Sequence, residues 1–527
     1  MSVSITCYDG VLSIGGNKIL LEDEERKTRL FFDFGLPFAR RYLFFEEYLK
    51  PRAGVGLRDP LRLGLLPPLE GIYRADFVAA LSPEDKAFLT SSPLHRHLDI
   101  DGVLLSHAHL DHSGYISFLH GDIPIYTTAM TAFIAKVVQD IGQSSDIERE
   151  VCYFTWRELE EGLLHPVSQK KNPLYHYQGR PFVLLDQPSL VGSGFWSSSP
   201  VFTKEIRPQI RKGAVDKIGS LPLRYFPVDH SIFGATAFAV ETSVGWVVYT
   251  GDFRLHGRYG HLTERFIEEV AALNPAALIC EGTRIDDDKR VTEKEVFDAA
   301  LEVARGASGL IIADFGARNV ERLITFLQVA KEVGRRLAIS PADAYLLEAM
   351  RVASQDLPDV AQDEHLVVYA DVKSAPRPWE ENLRNRYRRE GRLIGAPEVR
   401  GQPGGYILCF SFFDINDLVD IEPKEATYIY SSSEAFNEEM EMDLKRLRNW
   451  LDHFHIRFVG DPDDPSAEKR LHASGHASGR DIIDLVRRIR PQVVIPIHTV
   501  KPKRFSYELR GDIRVRLPKK GRPIELG

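Results

Sequence analysis

Residues 106–114 read Ser-His-Ala-His-Leu-Asp-His-Ser-Gly and place four possible metal ligands within six positions: His107, His109, Asp111 and His112. They follow the apolar run at 101–105, so the loop is expected at the end of a strand. Imidazole and carboxylate groups with no thiolate nearby suit zinc, iron or manganese. Solvated surface histidines are the alternative. The spacing favours a metal site that serves one ion or two adjacent ions.

Further ligand candidates lie at other strand ends. His230 lies in Phe-Pro-Val-Asp-His-Ser, Asp252 follows the apolar run at 244–248, and His498 follows Val-Val-Ile-Pro-Ile. An earlier carboxylate, Asp33, lies in Phe-Phe-Asp-Phe-Gly after the first strand-like segments. The order of an early Asp, HxHxDH, His, Asp and a late His resembles the metallo-β-lactamase superfamily. The resemblance implies an αββα sandwich with the metal centre at one edge.

The composition fits an enzyme of this size. The 527 residues are 43% hydrophobic and 27% charged, which predicts two or more domains with large cores. We find neither an apolar membrane span nor an N-terminal signal pattern, which favours a cytoplasmic protein without membrane contact. Cys7, Cys152, Cys280 and Cys409 are scattered and fit reduced, buried thiols. The net charge of −8 excludes a simple DNA-coating protein, so nucleic acid would contact a local surface.

Beyond Glu281 the pattern changes to alternating strands and helices, which predicts a separate α/β unit before the last ligand segment. In the metallo-β-lactamase superfamily, an α/β cap at this place resembles the β-CASP group of nucleic-acid processing enzymes. We therefore expect a lactamase-like domain over 1–283, a cap over 284–455 and a return segment over 456–527. Stretches near 36–98 and 155–215 lie outside the resemblance and are read as insertions. Between the metal loop and the second set of strands, helices are expected over 126–139 and 145–161.

Three residues match the β-CASP motifs. Glu281 ends an apolar strand, His476 lies in a Ser-Gly-His turn, and His498 follows a buried strand. DNA-processing members generally lack a histidine at the third position, so the resemblance favours RNA. It further points to the ribonuclease J-like branch through the segment at 313–322, Ala-Asp-Phe-Gly-Ala-Arg-Asn-Val-Glu-Arg. Donors at this helix start would hold substrate phosphate, which implies Arg318 and Asn319; a plain helix cap is the alternative.

The resemblance also implies roles for the ligands. One divalent ion would be held by His107, His109 and His230, a second by Asp111, His112 and His498, with Asp252 bridging them. Zinc is expected, and manganese or iron are alternatives. Two such ions can share a hydroxide that attacks a phosphodiester. Asp33 would lie behind the first loop and fix ligand orientation.

The leaving 3′-oxygen needs a proton, and His476 is the expected general acid, supported by Glu281 because a carboxylate raises the pKa of a nearby imidazole. His472 is a competing candidate and more readily a substrate contact, while Ser474 and Gly475 could offer donors to phosphate. Basic stretches at 384–392, 501–504 and 519–522 are expected to be solvated unless they border the cleft.

These inferences predict a zinc-dependent ribonuclease acting on single-stranded RNA as a 5′–3′ exonuclease, an endonuclease or both. A homo-oligomer stays open. One alternative is a small-molecule ester or thioester hydrolase, which would explain the metal ligands but not the cap. A DNA-processing β-CASP nuclease and a non-catalytic RNA-binding scaffold are the others; a scaffold is disfavoured because every expected ligand is present.

Overall fold

The computed structural model describes residues 3–46, 48–142, 147–167, 175–202, 205–207, 209, 215–316, 318–373, 375–432, 438–464, 466 and 468–527. Three seven-stranded sheets organise this part of the chain. Two of them face each other, and the third belongs to the predicted cap.

The first sheet joins the N-terminal strands to the strand that precedes the metal loop. In spatial order its strands are Phe182–Leu184, Ile125–Thr127, Gly102–Leu104, Thr28–Phe34, Lys18–Asp23, Val3–Asp9 and Pro523–Leu526. The last four pair antiparallel, whereas Gly102–Leu104 lies parallel to Thr28–Phe34. Two parallel neighbours end at the same edge of a sheet. Asp33 and the metal loop are therefore brought to one edge.

The second sheet carries the remaining candidate ligands. Its strands, in spatial order, are Lys217–Ile218, Leu221–Pro227, Thr236–Thr242, Gly245–Tyr249, Ala277–Glu281, Val493–Ile497 and Arg514–Val515. The first four form an antiparallel meander, and the last four run parallel to one another. The carboxyl ends of Gly245–Tyr249, Ala277–Glu281 and Val493–Ile497 consequently share an edge.

The two sheets enclose an apolar core, and helices cover their outer faces. Phe32 of the first sheet meets Tyr249 of the second with ring centroids 5.2 Å apart. Helix Ala129–Ile141 packs on the outside of the first sheet, and helices Gly260–Ala271 and Gly479–Ile489 pack on the outside of the second. This is the αββα sandwich that the resemblance to the metallo-β-lactamase superfamily implies.

The cap contains a wholly parallel sheet. Its strands, in spatial order, are Leu393–Ile394, Leu366–Tyr369, Arg336–Ile339, Tyr406–Cys409, Ile311–Asp314, Thr427–Tyr430 and Arg457–Val459. One face packs against Val320–Glu332, Pro341–Ala353 and Pro378–Arg389, and the other against Ala396–Gly401, Leu418–Ile421 and Glu438–His453. Because strand Arg457–Val459 belongs to this sheet, the cap runs slightly beyond the expected boundary at 455.

Shorter elements complete the described chain. The remaining helices are Phe38–Arg41, Arg58–Arg62, Ala75–Ala79, Pro83–Ser91, Leu110–Ser113, Gly194–Ser197, Glu293–Gly306 and Lys503–Glu508. Single 3₁₀ turns span Ala53–Val55, Gly114–Phe118, Ile147–Arg149, Pro188–Gly192, Pro403–Gly405, Phe412–Asp417 and Lys469–Leu471. Short strands pair as Leu69–Glu70 with Arg96–His97, Arg157–Glu160 with Leu163–Pro166, and Tyr175–Gly179 with Tyr153–Phe154 and Glu205–Arg207.

The insertion at 36–98 is a packed layer. Its apolar side chains, among them Leu57, Ile72 and Phe77, join the core outside the first sheet. The buried guanidinium of Arg74 donates to Asp76 at 2.6 Å and to Glu150 at 2.6 Å. A buried guanidinium needs such partners because an unpaired charge in the core is strongly destabilising. The insertion is thereby fixed to the chain that follows the metal loop.

The helix predicted over 145–161 is wrong. Its described residues form the turn Ile147–Arg149 and the strands Tyr153–Phe154 and Arg157–Glu160. The side-chain amide of Gln139 accepts hydrogen bonds from the backbone of Cys152 at 2.8 Å and of Tyr153 at 3.2 Å. A distant side chain therefore satisfies backbone donors that a helix would have satisfied locally. The helix predicted over 126–139 is confirmed as Ala129–Ile141, after the strand Ile125–Thr127.

Within the residues that the structure describes, no helix combines the length and the apolar character needed to cross a bilayer.

Candidate metal centre

The candidate ligands meet where the carboxyl ends of strands from both sheets face each other. The loop after Gly102–Leu104 carries the first four, and a bend after each of three second-sheet segments carries His230, Asp252 and His498. Close packing of backbone holds the loop in place. A Cβ added to Gly35 would lie 1.7 Å from the carbonyl oxygen of Asp111, so this position accepts only glycine.

Three imidazoles form the first group of ligands. Nδ1 of His109 lies 3.1 Å from Nε2 of His107 and 3.2 Å from Nε2 of His230. Nδ1 of His230 donates to the carbonyl oxygen of Gly475 at 2.5 Å, which leaves its Nε2 as a lone pair. Burial lowers the pKa of all three rings, that of His109 to about 3. Neutral imidazoles whose nitrogens converge are suited to bind a divalent cation.

Asp111, His112 and His498 form the second group. Nε2 of His498 lies 3.3 Å from Oδ2 of Asp111, and Nε2 of His112 lies 3.8 Å from the same oxygen. This group and the first lie on either side of one carboxylate. Both therefore share a single polar cleft rather than forming separate sites.

That carboxylate is Asp252, which is almost fully buried. Its oxygens lie 3.1 Å from Nε2 of His112, 3.0 Å from Nδ1 of His498, 3.7 Å from Nε2 of His107 and 3.9 Å from Nε2 of His230. Asp252 Oδ1 and His112 Nε2 are nevertheless buried without an aligned hydrogen bond. Buried polar atoms rarely stay unpaired, and a shared cation would satisfy both. The donor set thus fits divalent metal.

Asp33 lies behind the loop as the sequence suggests. Its carboxylate accepts from the backbone N–H of Ser106 at 2.7 Å, from the Ser106 hydroxyl at 2.8 Å and from the Tyr249 hydroxyl at 2.7 Å. Nδ1 of His112 lies 2.6 Å from the same group. Because Nδ1 of His112 donates to Asp33, Nε2 is unprotonated and its lone pair faces Asp252. The Tyr249 hydroxyl is a contributor that no sequence pattern indicated.

Three residues of this region adopt left-handed backbone conformations that non-glycine residues rarely use. The φ angles are 55° at Asp33, 55° at His498 and 71° at Arg318. Such conformations cost on the order of 1–3 kcal/mol and persist where the surroundings enforce them. Their concentration here is typical of functional sites.

His476 and Glu281 lie beside the ligands. Nδ1 of His476 is 3.1 Å from Oε1 of Glu281 and 3.9 Å from Asp252. Burial opposes the charged imidazolium, but attraction to the Glu281 carboxylate outweighs it and raises the pKa of His476. The His476 side chain keeps 22% of its surface exposed, whereas Glu281 has none. The imidazole can therefore hold a proton and still reach the cleft.

The preceding residues of this loop use their backbone for support. Carbonyl oxygens of Ser474 and Gly475 accept from Arg254 at 3.1 Å and from His230 at 2.5 Å respectively. The Ser474 hydroxyl accepts from the backbone N–H of His476 at 3.2 Å. His472 lies 3.3 Å from the carbonyl oxygen of Ser431 on the cap, and burial lowers its pKa to about 4.

Arg318 reaches the metal centre, whereas Asn319 caps a helix. Burial lowers the pKa of Arg318, and its charge interacts with Asp111 and His109. Its Nε is buried without a partner. Asn319 Oδ1 accepts from the backbone N–H of Arg322 at 3.0 Å and starts helix Val320–Glu332. Ala317 of the same motif lies outside the described residues.

A buried ionic network joins the cap to the His476 loop, and sequence reasoning missed it. Arg254 contacts Asp229 at 3.3 Å, Glu293 at 3.2 Å and Glu321. Arg322 donates to Glu293 at 2.9 Å and to the carbonyl oxygen of Leu471 at 3.2 Å. Guanidinium groups thereby hold the 472–476 loop just before its start, at Leu471, and in its middle, at Ser474. The one available signal was Glu321 and Arg322 within the apolar helix Val320–Glu332.

Comparison with known proteins adds two kinds of similarity. Residues 467–507, which include both His476 and His498, match a family model described as a Zn-dependent metallo-hydrolase RNA specificity domain. Over 100% of both chains, the fold is similar to a crystal structure of a protein of unknown function from Enterococcus faecalis V583, with a TM-score of 0.64 and 21% identity. That likeness concerns the fold alone.

Curated relatives carry the name ribonuclease J. The chain is 23% identical to the protein from Pyrococcus abyssi over 76% of this chain and 75% of that one. It is 25% identical to the protein from Mycobacterium tuberculosis over 61% and 56%, and 23% identical to that from Thermus thermophilus over 66% and 60%. The matches thus span little more than half of the two bacterial relatives. The resemblance to the β-CASP group and its ribonuclease J-like branch is confirmed, and with it the use of divalent metal.

Proposed function

We propose that this protein is a divalent-metal-dependent ribonuclease that hydrolyses phosphodiester bonds of single-stranded RNA in the cleft between the sandwich and its cap. One observation carries the proposal. Seven candidate ligand side chains converge, six of them around the seventh, Asp252. The His476–Glu281 pair lies directly beside them. A site for a small ester would need the ligands alone, whereas this one adds a candidate acid, His476, whose side chain is partly exposed.

The ligands divide into two sets. His107, His109 and His230 would hold one ion and Asp111, His112 and His498 a second, with Asp252 shared between them. Zinc suits the nitrogen-rich set, and manganese or iron are the alternatives. Bound ions would activate water and neutralise charge on the phosphate. Asp33 would keep His112 in the tautomer that presents Nε2.

His476 would protonate the leaving 3′-oxygen. Its Nδ1 is engaged by Glu281, so Nε2 is the ring nitrogen available to donate. The Glu281 carboxylate raises the pKa of His476 and so favours the protonated ring that a general acid requires. Glu281 is itself fixed by the backbone N–H of Thr283 at 2.8 Å, which limits movement of the pair.

Arg318 would bind substrate phosphate beside the metal centre. Its Nε has no hydrogen-bond partner among the described residues, and a phosphate oxygen would satisfy it through a charge-assisted hydrogen bond. Asn319 would act through its helix cap, by holding the turn that presents Arg318. Ser474, Gly475 and His472 would line the path of the chain at the seam.

RNA is favoured over DNA by two features of the chain. His498 occupies the position at which DNA-processing members generally lack a histidine, and the matched RNA specificity domain includes it. The relatives are named ribonuclease J.

Purified protein should be incubated with end-labelled single-stranded RNA, DNA of the same sequence and a generic ester, each with and without chelator. We expect chelator-sensitive cleavage of RNA, with much slower cleavage of DNA and ester. Faster hydrolysis of the ester, or RNA cleavage that survives complete metal removal, would contradict the proposal. Product mapping on 5′-phosphorylated and 5′-triphosphorylated RNA would separate the two modes, since mononucleotides indicate end-trimming and internal fragments indicate endonucleolytic cutting.

A further inference from the structure

The insertion at 36–98 forms one wall of a groove that lies outside the metal centre. The groove encloses about 920 Å³. Tyr42, Tyr48 and Lys50 line it from the insertion, and Arg377, Phe413 and Arg446 line it from the cap. None of the residues assigned to catalysis lines it.

The groove is basic although the whole chain carries a net charge of −8. Six cationic and four acidic side chains line it; the cations are Arg41, Lys50, Arg52, Arg149, Arg377 and Arg446. Lys50 and Arg377 form no ion pair with any described residue, and Arg377 donates to the carbonyl oxygens of Ile141 and Gly142. A local positive track on an acidic protein indicates a polyanionic ligand.

Aromatic side chains project into the same groove from opposite walls. Tyr48 on the insertion is 87% exposed and Phe413 on the cap is 83% exposed. Large aromatic rings are seldom left so accessible, because burying them stabilises the fold. Cationic groups interleaved with accessible rings are typical of surfaces that bind unpaired bases, each base stacking on a ring while the backbone follows the charge. A duplex would keep its bases stacked on each other and could not use these rings.

Arg149 links the groove to the metal centre. It lines the groove, and its charge acts on Arg318, whose other close charge is the candidate ligand Asp111. One residue of the groove is thus close enough to Arg318 for the two charges to act on each other.

We propose that this groove binds single-stranded RNA at a distance from the scissile bond, with bases stacking on Tyr48 and Phe413 and phosphates contacting Lys50 and Arg377. The proposal rests on the proposed ribonuclease function and adds a length requirement to it. Because the insertion lies outside the family resemblance, the contact would be a property of this chain.

The test compares a long oligouridylate with a uridine dinucleotide as substrates. The Tyr48→Ala/Phe413→Ala variant should raise the KM for the long substrate by at least about 25-fold, since each of the two stacked bases contributes at least about 5-fold in affinity. Its kcat on the long substrate and its kcat/KM on the dinucleotide should stay at wild-type values. Phe88→Ala is the matched control, because Phe88 is an exposed ring of the same insertion that lies outside the groove.

Lys50→Glu gives a second readout that does not depend on the rings. We expect it to reduce the salt dependence of oligouridylate binding by roughly one phosphate contact, a slope change of about 0.7. Lys86→Glu, exposed on helix Pro83–Ser91, should leave that slope unchanged.

Unchanged KM and salt slope in both groove variants would overturn the groove proposal, as would an equal loss of affinity for duplex RNA. A wild-type protein that cleaves neither the long substrate nor the dinucleotide would instead overturn the ribonuclease function. The two failures are thus distinguishable.

Discussion

The two walls of the cleft are built by different means. On the metal-bearing wall, four candidate ligands come from six consecutive residues. On the cap-bearing wall, the Arg254 side chain bonds to groups 39 and 220 positions away, Glu293 and Ser474. On the first wall, local sequence and strand ends position the candidate metal ligands. On the second, long-range ion pairs position His476.

This difference predicts separable effects. Changes at the ligand wall should alter bound metal, whereas changes at the cap wall should alter turnover with metal retained. Substitutions at His476, Arg322 and Asp33 test the separation, and one at Asp314 tests the charge state of the cap; they follow in order of expected effect.

His476→Ala should lower kcat on RNA by about 10²–10⁴-fold, the usual contribution of general acid catalysis. Metal content, measured by elemental analysis, should stay at the wild-type value because none of the proposed ligands changes. His472→Ala is the control and should lose far less, since His472 contacts the cap backbone. Wild-type activity in His476→Ala would remove its role as acid.

Arg322→Met should destabilise the protein by about 3–5 kcal/mol, because it removes one of the two guanidinium groups that pair with the buried Glu293 carboxylate, the other being Arg254. Burial alone would raise the pKa of Glu293, but Arg322 and Arg254 hold it at about 2, so the group is charged in the fold. Denaturant unfolding gives the loss, and kcat should fall with metal content unchanged.

Adding Glu293→Gln to Arg322→Met should restore part of that stability, because the buried Glu293 carboxylate that lost the Arg322 charge becomes a neutral amide. If the loss of stability in the double variant equals the sum of the losses in the two single variants, the two side chains do not act as a pair.

Asp33→Asn should reduce activity by about 10–100-fold and weaken metal binding to a similar degree. An amide presents N–H to His112 and favours the tautomer whose Nε2 is protonated and cannot bind metal. Competition with a chelator measures the affinity. Tyr249→Phe, which leaves the His112 contact in place, should have a smaller effect; equal losses in both would contradict the tautomer argument.

Asp314→Asn should give the smallest change, and one that depends on pH. Burial raises the pKa of Asp314 from 3.8 to about 7, so the folded cap binds a proton that the unfolded chain releases. Stability is therefore highest below the unfolded pKa and declines as pH rises toward the folded value. The variant should melt a few degrees higher than wild type at about pH 8, and this difference should become smaller at about pH 5. Equal shifts at both pH values would exclude this titration.

The metal-bearing wall was largely predictable from sequence because its residues lie at strand ends that parallel pairing must bring together. The α/β character of the cap followed from the alternation of strand-like and helix-like segments, whereas the αββα sandwich was implied by the resemblance to the metallo-β-lactamase superfamily. The structure of the 145–161 segment was not predictable, because Ile147, Val151 and Phe154 repeat at helical spacing. The side chain of Gln139 instead accepts hydrogen bonds from this backbone and stabilises a non-helical conformation.

The cap-bearing wall was beyond a single sequence for a related reason. Arg254, Glu293 and Arg322 look like ordinary surface charges, and only the fold buries them together. The groove between the insertion and the cap was unpredictable for the same reason. Tyr48 and Phe413 are far apart in the chain, and only the fold brings them to line one groove.

The central claim is a pair of cations around Asp252 that serves RNA hydrolysis. Anomalous scattering from crystals of active, unchelated protein, collected at the zinc and manganese edges, tests it most directly. We expect two peaks, one among His107, His109 and His230 and one among Asp111, His112 and His498. Crystals of a preparation that cleaves RNA but shows no anomalous density between these side chains would contradict the account.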